Sequence, residues 1–150
     1  MSPEHIRPLA ICVFHRNGKI LVNVAHDAIK KVTFCRPLGG GIEFGETSVQ
    51  AVSREIREEI CAEVTNLQFL GTLENIFTYL GRPGHEIVQV YDGRFVNQAL
   101  YDQESIHGTE SNGKSFEAIW RELVSFSAEM PLYPSGLLAL LQSKVALPTA

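Results

Sequence analysis

Three glutamates, Glu55, Glu58 and Glu59, stand three and four positions apart, the spacing at which side chains share one surface of an α-helix. Like charges that close repel by on the order of a few tenths of a kcal/mol per pair, so something positive must offset them. Arg54 and Arg57 are interleaved with them, and Arg54 is correctly spaced to reach Glu58; on that reading alone the stripe is a solvated helix face. Just upstream, Pro37-Leu38-Gly39-Gly40-Gly41 stops regular structure and lets backbone approach a ligand closely. A hard divalent cation such as Mg²⁺ takes several oxygen ligands while keeping water. A glycine loop beside a carboxylate stripe therefore suits a metal–phosphate site, in which the cation screens the glutamates and neutralises a phosphate chain that they alone would repel.

These residues carry a resemblance. Gly40, five residues, Glu46, seven residues, then Arg54-Glu55-Ile56-Arg57-Glu58-Glu59 resembles the Nudix box, GX5EX7REUXEEXGU with U aliphatic. Every fixed position from the first glycine to the paired glutamates is matched, while Cys61 stands where the pattern has glycine and Ala62 where it has a larger aliphatic residue. A left-handed Cys61 would be strained by on the order of 1 kcal/mol, which a packed domain tolerates.

The resemblance implies an α/β/α sandwich around a mixed β-sheet, a single domain over residues 1–150, and divalent-metal-dependent hydrolysis of a nucleoside diphosphate linked to another group by water attack at phosphorus. It implies Mg²⁺, with Mn²⁺ as a substitute, held by Glu55, Glu58, Glu59 and the Gly39 carbonyl. Arg54 and Glu46 would hold loop and helix in register through an ion pair. Glu55 is also open as the base that takes a proton from the attacking water. Downstream carboxylates compete for that role: Glu110 and Glu104 first, with Asp102, Glu86 and Glu74 as alternatives. For the substrate, Gly40 and Gly41 allow close approach, Arg36 can meet a phosphate, and Tyr101 can stack on a nucleobase. A proline found in many ADP-ribose pyrophosphatases would fall near Ile76-Phe77, where none stands, which takes weight from that substrate, and the small, compact chain favours a nucleoside triphosphate or similar small nucleotide.

The elements that must position these groups follow from periodicity. Residues 6–14 and 19–25 are apolar, β-branched runs around Arg16-Asn17-Gly18, so an opening hairpin is expected. A short strand covers residues 31–35, and the glycine run follows as a loop. From about Thr47 to Ile60, the spacing of Val49, Val52, Ile56 and Ile60 predicts an amphipathic helix with these four residues inward. Residues 67–80 and 86–96 should pair as a second hairpin through Gly81-Arg82-Pro83-Gly84. A long polar loop spans residues 97–114, a strand residues 116–124, and a last helix residues 135–145, whose Leu137, Leu138 and Leu141 read as packing.

Composition narrows the function classes. The 150 residues are 45% hydrophobic and carry 13 Lys+Arg against 17 Asp+Glu, a net charge of −4, which argues against a nucleic-acid polymer or an anionic membrane as partner. The N-terminal apolar stretch has neither signal-peptide nor membrane-span length, so a cytoplasmic location is expected. Cys12, Cys35 and Cys61 match no zinc spacing and read as buried free thiols. A homodimer is allowed without an interface being visible. Two readings compete with hydrolysis: a catalytically inactive Nudix-fold module that binds a nucleotide as sensor or scaffold, and an acidic helix face that docks a basic partner.

Overall fold

The N-terminal apolar run does not fold back on itself. In the computed structural model, which describes residues 4–145, the chain runs through β1 (Arg7–Val13), β2 (His15–Arg16), β3 (Lys19–Asp27), β4 (Val32–Arg36), β5 (Leu38–Gly41), α1 (Ser48–Ile60), β6 (Val64–Tyr79), β7 (Arg82–Phe95), β8 (Ser105–Thr109), β9 (Ser115–Glu122) and α2 (Leu137–Val145). β1 pairs antiparallel with β5 and parallel with β7, and β6 completes a mixed sheet of order β5-β1-β7-β6. The expected opening hairpin survives only as β2 against β3, turning on Asn17 and Gly18, both at positive φ. β3 then continues into a second, antiparallel sheet with β4, β9 and β8. The two apolar runs thus serve different sheets, a division that periodicity cannot mark.

Each strand face then finds its own core. Ala10 and Cys12 face α1 with Leu38, Val52, Ile56 and Tyr91, while Leu9, Ile11, Val88 and Val90 point the other way, to Leu137 and Leu141 of α2. Fully burying side chains such as Val52 and Ile56 is worth about 2 kcal/mol each, which fixes the helix against the sheet. This mixed α/β single domain agrees with the expected fold class. No helix among the described residues is long and apolar enough to cross a membrane.

Several local expectations are corrected. The inward residues of α1 are Ala51, Val52, Ile56 and Ile60, whereas Val49, one turn in, is exposed. The glycine run is a strand, not a loop, because β1 pairs with it residue by residue. The second hairpin turns on Leu80-Gly81, both at positive φ, so Arg82 to Gly84 are already strand. The polar loop contains a 3-10 turn (Gln98–Asp102) and β8, held by pairing with β9. Cys12 and Cys35 are buried free thiols, but Cys61 is exposed.

Candidate functional site

α1 begins where the sequence provides for its free amides. The Thr47 hydroxyl accepts from the Gln50 N–H at 3.2 Å while the Gln50 side chain accepts from the Thr47 N–H at 2.9 Å, a reciprocal cap. It ends at Cys61, φ 55° and ψ 36°, whose N–H donates to the Arg57 carbonyl at 3.0 Å. The helix is therefore fixed at both ends, and the direction of its glutamates is fixed with it.

Arg54 is the hub of the carboxylate face. Its Nε and Nη2 donate to the two oxygens of Glu46 at 2.7 and 3.0 Å, Nη2 also donates to the Gly41 carbonyl at 2.9 Å, and Nη1 donates to Glu55 at 2.9 Å and Glu58 at 3.2 Å. This fork-to-carboxylate pair, helped by the Glu43 N–H, pulls the Glu46 carboxyl down to about 2 and holds Arg54 charged. The expected Arg54–Glu46 ion pair is thus present, and through Gly41 it ties α1 to β5.

β5 is the other half of the site. Gly39 has φ +148°, and a Cβ there would come within 2.2 Å of the Ala10 carbonyl oxygen. At Gly40 the Glu55 carboxylate occupies the space a side chain would take, its Cδ 2.5 Å from a notional Cβ. Both glycines are required by close approach rather than by a turn.

Glu59 differs from the other helix glutamates. It is largely buried, its Oε1 has no hydrogen-bond partner, and burial, then the charges of Glu55 and Glu110, push its carboxyl up to about 8 against the opposing pull of the Gly39 amide and Arg36. Gly39, Arg36, Glu55 and Glu110, all singled out from sequence, therefore converge electrostatically on Glu59. A buried, unpartnered oxygen among like charges, with oxygen donors only, fits a hard divalent cation. Glu58 lies outside this convergence: its side chain is 57% exposed and turned onto Arg54, and no group of three acidic, His or Cys side chains is drawn together for a metal among the described residues.

The remaining candidates divide. Glu110 sits in the β8–β9 turn, where its N–H donates to the Lys114 carbonyl at 2.8 Å. No interaction joins Glu104 to the cluster among the described residues. The Tyr101 ring packs on Phe95 and Trp120, at 5.4 and 5.7 Å between centroids, and its hydroxyl accepts from the Phe95 N–H at 3.0 Å, so it is occupied with core packing rather than open for a base. Glu86 is buried against Arg7, Arg36 and Asn75 and does not face the carboxylates as a base. Sequence reasoning missed Arg7 and Asn75; only the strand register that sets them beside Glu86 reveals them.

Comparison with known proteins agrees with this fold. The fold resembles a MutT NUDIX hydrolase from Burkholderia pseudomallei (TM-score 0.64, 21% identity, 93% of this chain and 98% of that one). It also resembles a NUDIX hydrolase from Nitrosomonas europaea (TM-score 0.64, 16% identity, 95% and 90%) and the E. coli ORF135 protein (TM-score 0.59, 21% identity, 98% and 96%). A NUDIX domain profile matches residues 5–131, spanning β1, the glycine strand, the helix and both sheets. The chain therefore belongs to the Nudix family, hydrolases that act on phosphoric anhydrides.

Proposed function

We propose that the chain is a divalent-metal-dependent pyrophosphohydrolase that cleaves a nucleoside diphosphate linked to another group, with a nucleoside triphosphate or similarly small nucleotide as substrate. The observation that carries this reading is the buried, partnerless Glu59 oxygen, on a carboxylate under the charges of Glu55 and Glu110 and met by the Gly39 N–H. Glu55, Glu59, Glu58 and the Gly39 carbonyl would hold Mg²⁺ or Mn²⁺, which when bound supplies charge neutralisation at the phosphate oxygens and a more acidic water. Glu58 can join because it is held only by a 3.2 Å bond to a guanidinium that Glu46 already neutralises.

The protein's own groups do the rest by position. Arg54 locks β5 to α1 through the Gly41 carbonyl, so the glycine strand cannot drift from the glutamates. Arg36 offers a guanidinium near Glu59, where a phosphate oxygen would arrive. Of the base candidates, Glu55 is already an acceptor from Arg54, whereas the Glu110 carboxylate has no cation partner among the described residues. Glu110 therefore takes the proton as the water oxygen bonds to phosphorus and the anhydride P–O bond breaks. We read the protein as acting in the cytoplasm on small nucleotides, with neither nucleic acid nor membrane as partner; a homodimer is compatible with this.

The test is release of phosphate or pyrophosphate from a panel of nucleoside triphosphates, 8-oxo-dGTP, ADP-ribose, diadenosine polyphosphates and nucleotide sugars, with Mg²⁺, Mn²⁺ or EDTA and with Glu58→Gln as the blank. Turnover of one class, abolished by EDTA and by the variant, supports the proposal. Metal-dependent binding without turnover turns the reading to a nucleotide sensor.

A further inference from the structure

Resting on the hydrolase reading above, we propose that buried Glu86 positions Arg7 and Arg36 as a two-guanidinium clamp for the substrate's phosphate chain, beside the edge strand β5.

Glu86 of β7 lies in register with Arg7 of β1 and with Asn75 of β6, so the three side chains share one face of the mixed sheet. Its side chain is 4% exposed, and it accepts one hydrogen bond, from Asn75 Nδ2 at 3.3 Å. Asn75 is in turn fixed by the Ser135 N–H, which donates to its Oδ1 at 3.3 Å. A carboxylate that deep needs positive charge, and two guanidiniums supply it: Arg7 Nη1 stands 3.9 Å from Oε2 and Arg36 Nη2 3.9 Å from Oε1.

Those distances are ion pairs and not hydrogen bonds. Neither guanidinium donates a hydrogen bond among the described residues, and the two side chains remain 55% and 42% exposed. Two planar forks, ten N–H donors by their chemistry, therefore stay open toward solvent with one positive charge in excess over Glu86. That is what a phosphate chain requires.

The clamp also has the right neighbour. A Cβ on Gly41 would come within 3.8 Å of Arg7 Nη2, so Arg7 flanks β5, while Arg36 is within electrostatic reach of Glu59. Alternation along the strand turns Gly41 toward Arg7 and Gly40 toward Glu55. Beyond Leu38, three glycines leave neither face of this edge strand with a side chain. A phosphate chain held by the arginines can therefore reach past this edge strand to the carboxylates with only backbone in its way. Glu86 acts through the arginines and touches no reacting atom, which makes it a positioning residue.

Binding of imidodiphosphate, a non-hydrolysable analogue of the phosphoric anhydride, with Mg²⁺ to the full chain tests this by calorimetry. Arg7→Met and Arg36→Met, at exposed side chains, each weaken it about tenfold. Glu86→Gln weakens it by about fivefold and raises the KM of a hydrolysed nucleoside triphosphate while leaving kcat within about twofold; Glu86→Asp recovers part of the loss. In the Arg7→Met/Arg36→Met background, Glu86→Gln has no further effect. Equal losses in both backgrounds, tighter binding by Glu86→Gln, or arginine variants that bind and turn over as wild type would each overturn the clamp and leave the hydrolase reading standing. A wild-type chain that neither binds imidodiphosphate nor hydrolyses any nucleotide overturns both. Should Glu86→Gln fail to fold, the two arginine variants decide.

Discussion

Glu46 and Glu59 belong to the same sequence pattern and are opposite in condition. Glu46 receives two bonds from Arg54 and one from the Glu43 N–H, and its carboxyl sits near 2. Glu59 is buried with one oxygen partnerless, and its carboxyl is pushed up to about 8. The first carboxylate is finished by the fold, and its charge is spent on architecture. The second is left short of positive charge by the same fold, and a site that must take up a cation and a polyanion needs that deficit. Two glutamates that a pattern treats alike are thus separated by what surrounds them.

The largest test of this contrast is removal of charge at the unsatisfied end. Glu59→Gln and Glu58→Gln should each fold and lose on the order of 10³ in metal-dependent turnover, read as pyrophosphate release; near-normal rates would remove the metal site from α1. Glu110→Gln should cost on the order of 10² in kcat, with Glu104→Gln as the silent control; the reverse ranking would move the base to the other end of β8. At the satisfied end, Arg54→Lys keeps the charge but not the fork, so turnover should fall about tenfold together with a lower Tm. An unchanged Tm would mean that Glu46 is held without it.

Smaller effects sharpen the comparison. In EDTA, the native state keeps a proton on Glu59 up to about 8, whereas the unfolded chain releases it near the ordinary value of 4.5. Stability should therefore fall as pH rises through that window and level off above it. Thermal denaturation from pH 5 to 9 reads this, and in Glu59→Gln that part of the slope should vanish. The smallest change expected is Cys61→Gly, a gain of about 1 kcal/mol from relieving the left-handed cap, with turnover unchanged. A marked loss of activity would give the exposed thiol a function.

What the sequence discloses is local. Thr47, Gln50 and the spacing of Val52, Ile56 and Ile60 specify α1 nearly to the residue, because capping and 3.6-residue periodicity act within a few positions. The Asn17-Gly18 turn is legible for the same reason. Gly39 to Gly41 mislead, since glycine disfavours strands; only β1 alongside, too close for any Cβ at Gly39, makes them one. Residues 97–114 look like a loop because β8 draws its stability from β9 and not from its own composition. Within the site, the box residues were legible by type and spacing. The commitment of Tyr101 to Trp120, and the alignment of Arg7 with Glu86, depend on contacts between distant segments.

That dependence on distant segments has a kinetic side. β5 is held in the sheet by β1, and β1 finds its other neighbour in β7, roughly eighty residues further along the chain. The β6–β7 ribbon turns on two residues and can close early, whereas the parallel β1–β7 ladder must first bring remote ends together against chain entropy. The sheet that seats the glycine strand against the glutamate helix is therefore complete only after this long loop has closed. In refolding, catalytic competence should be among the last properties regained, trailing the recovery of secondary structure.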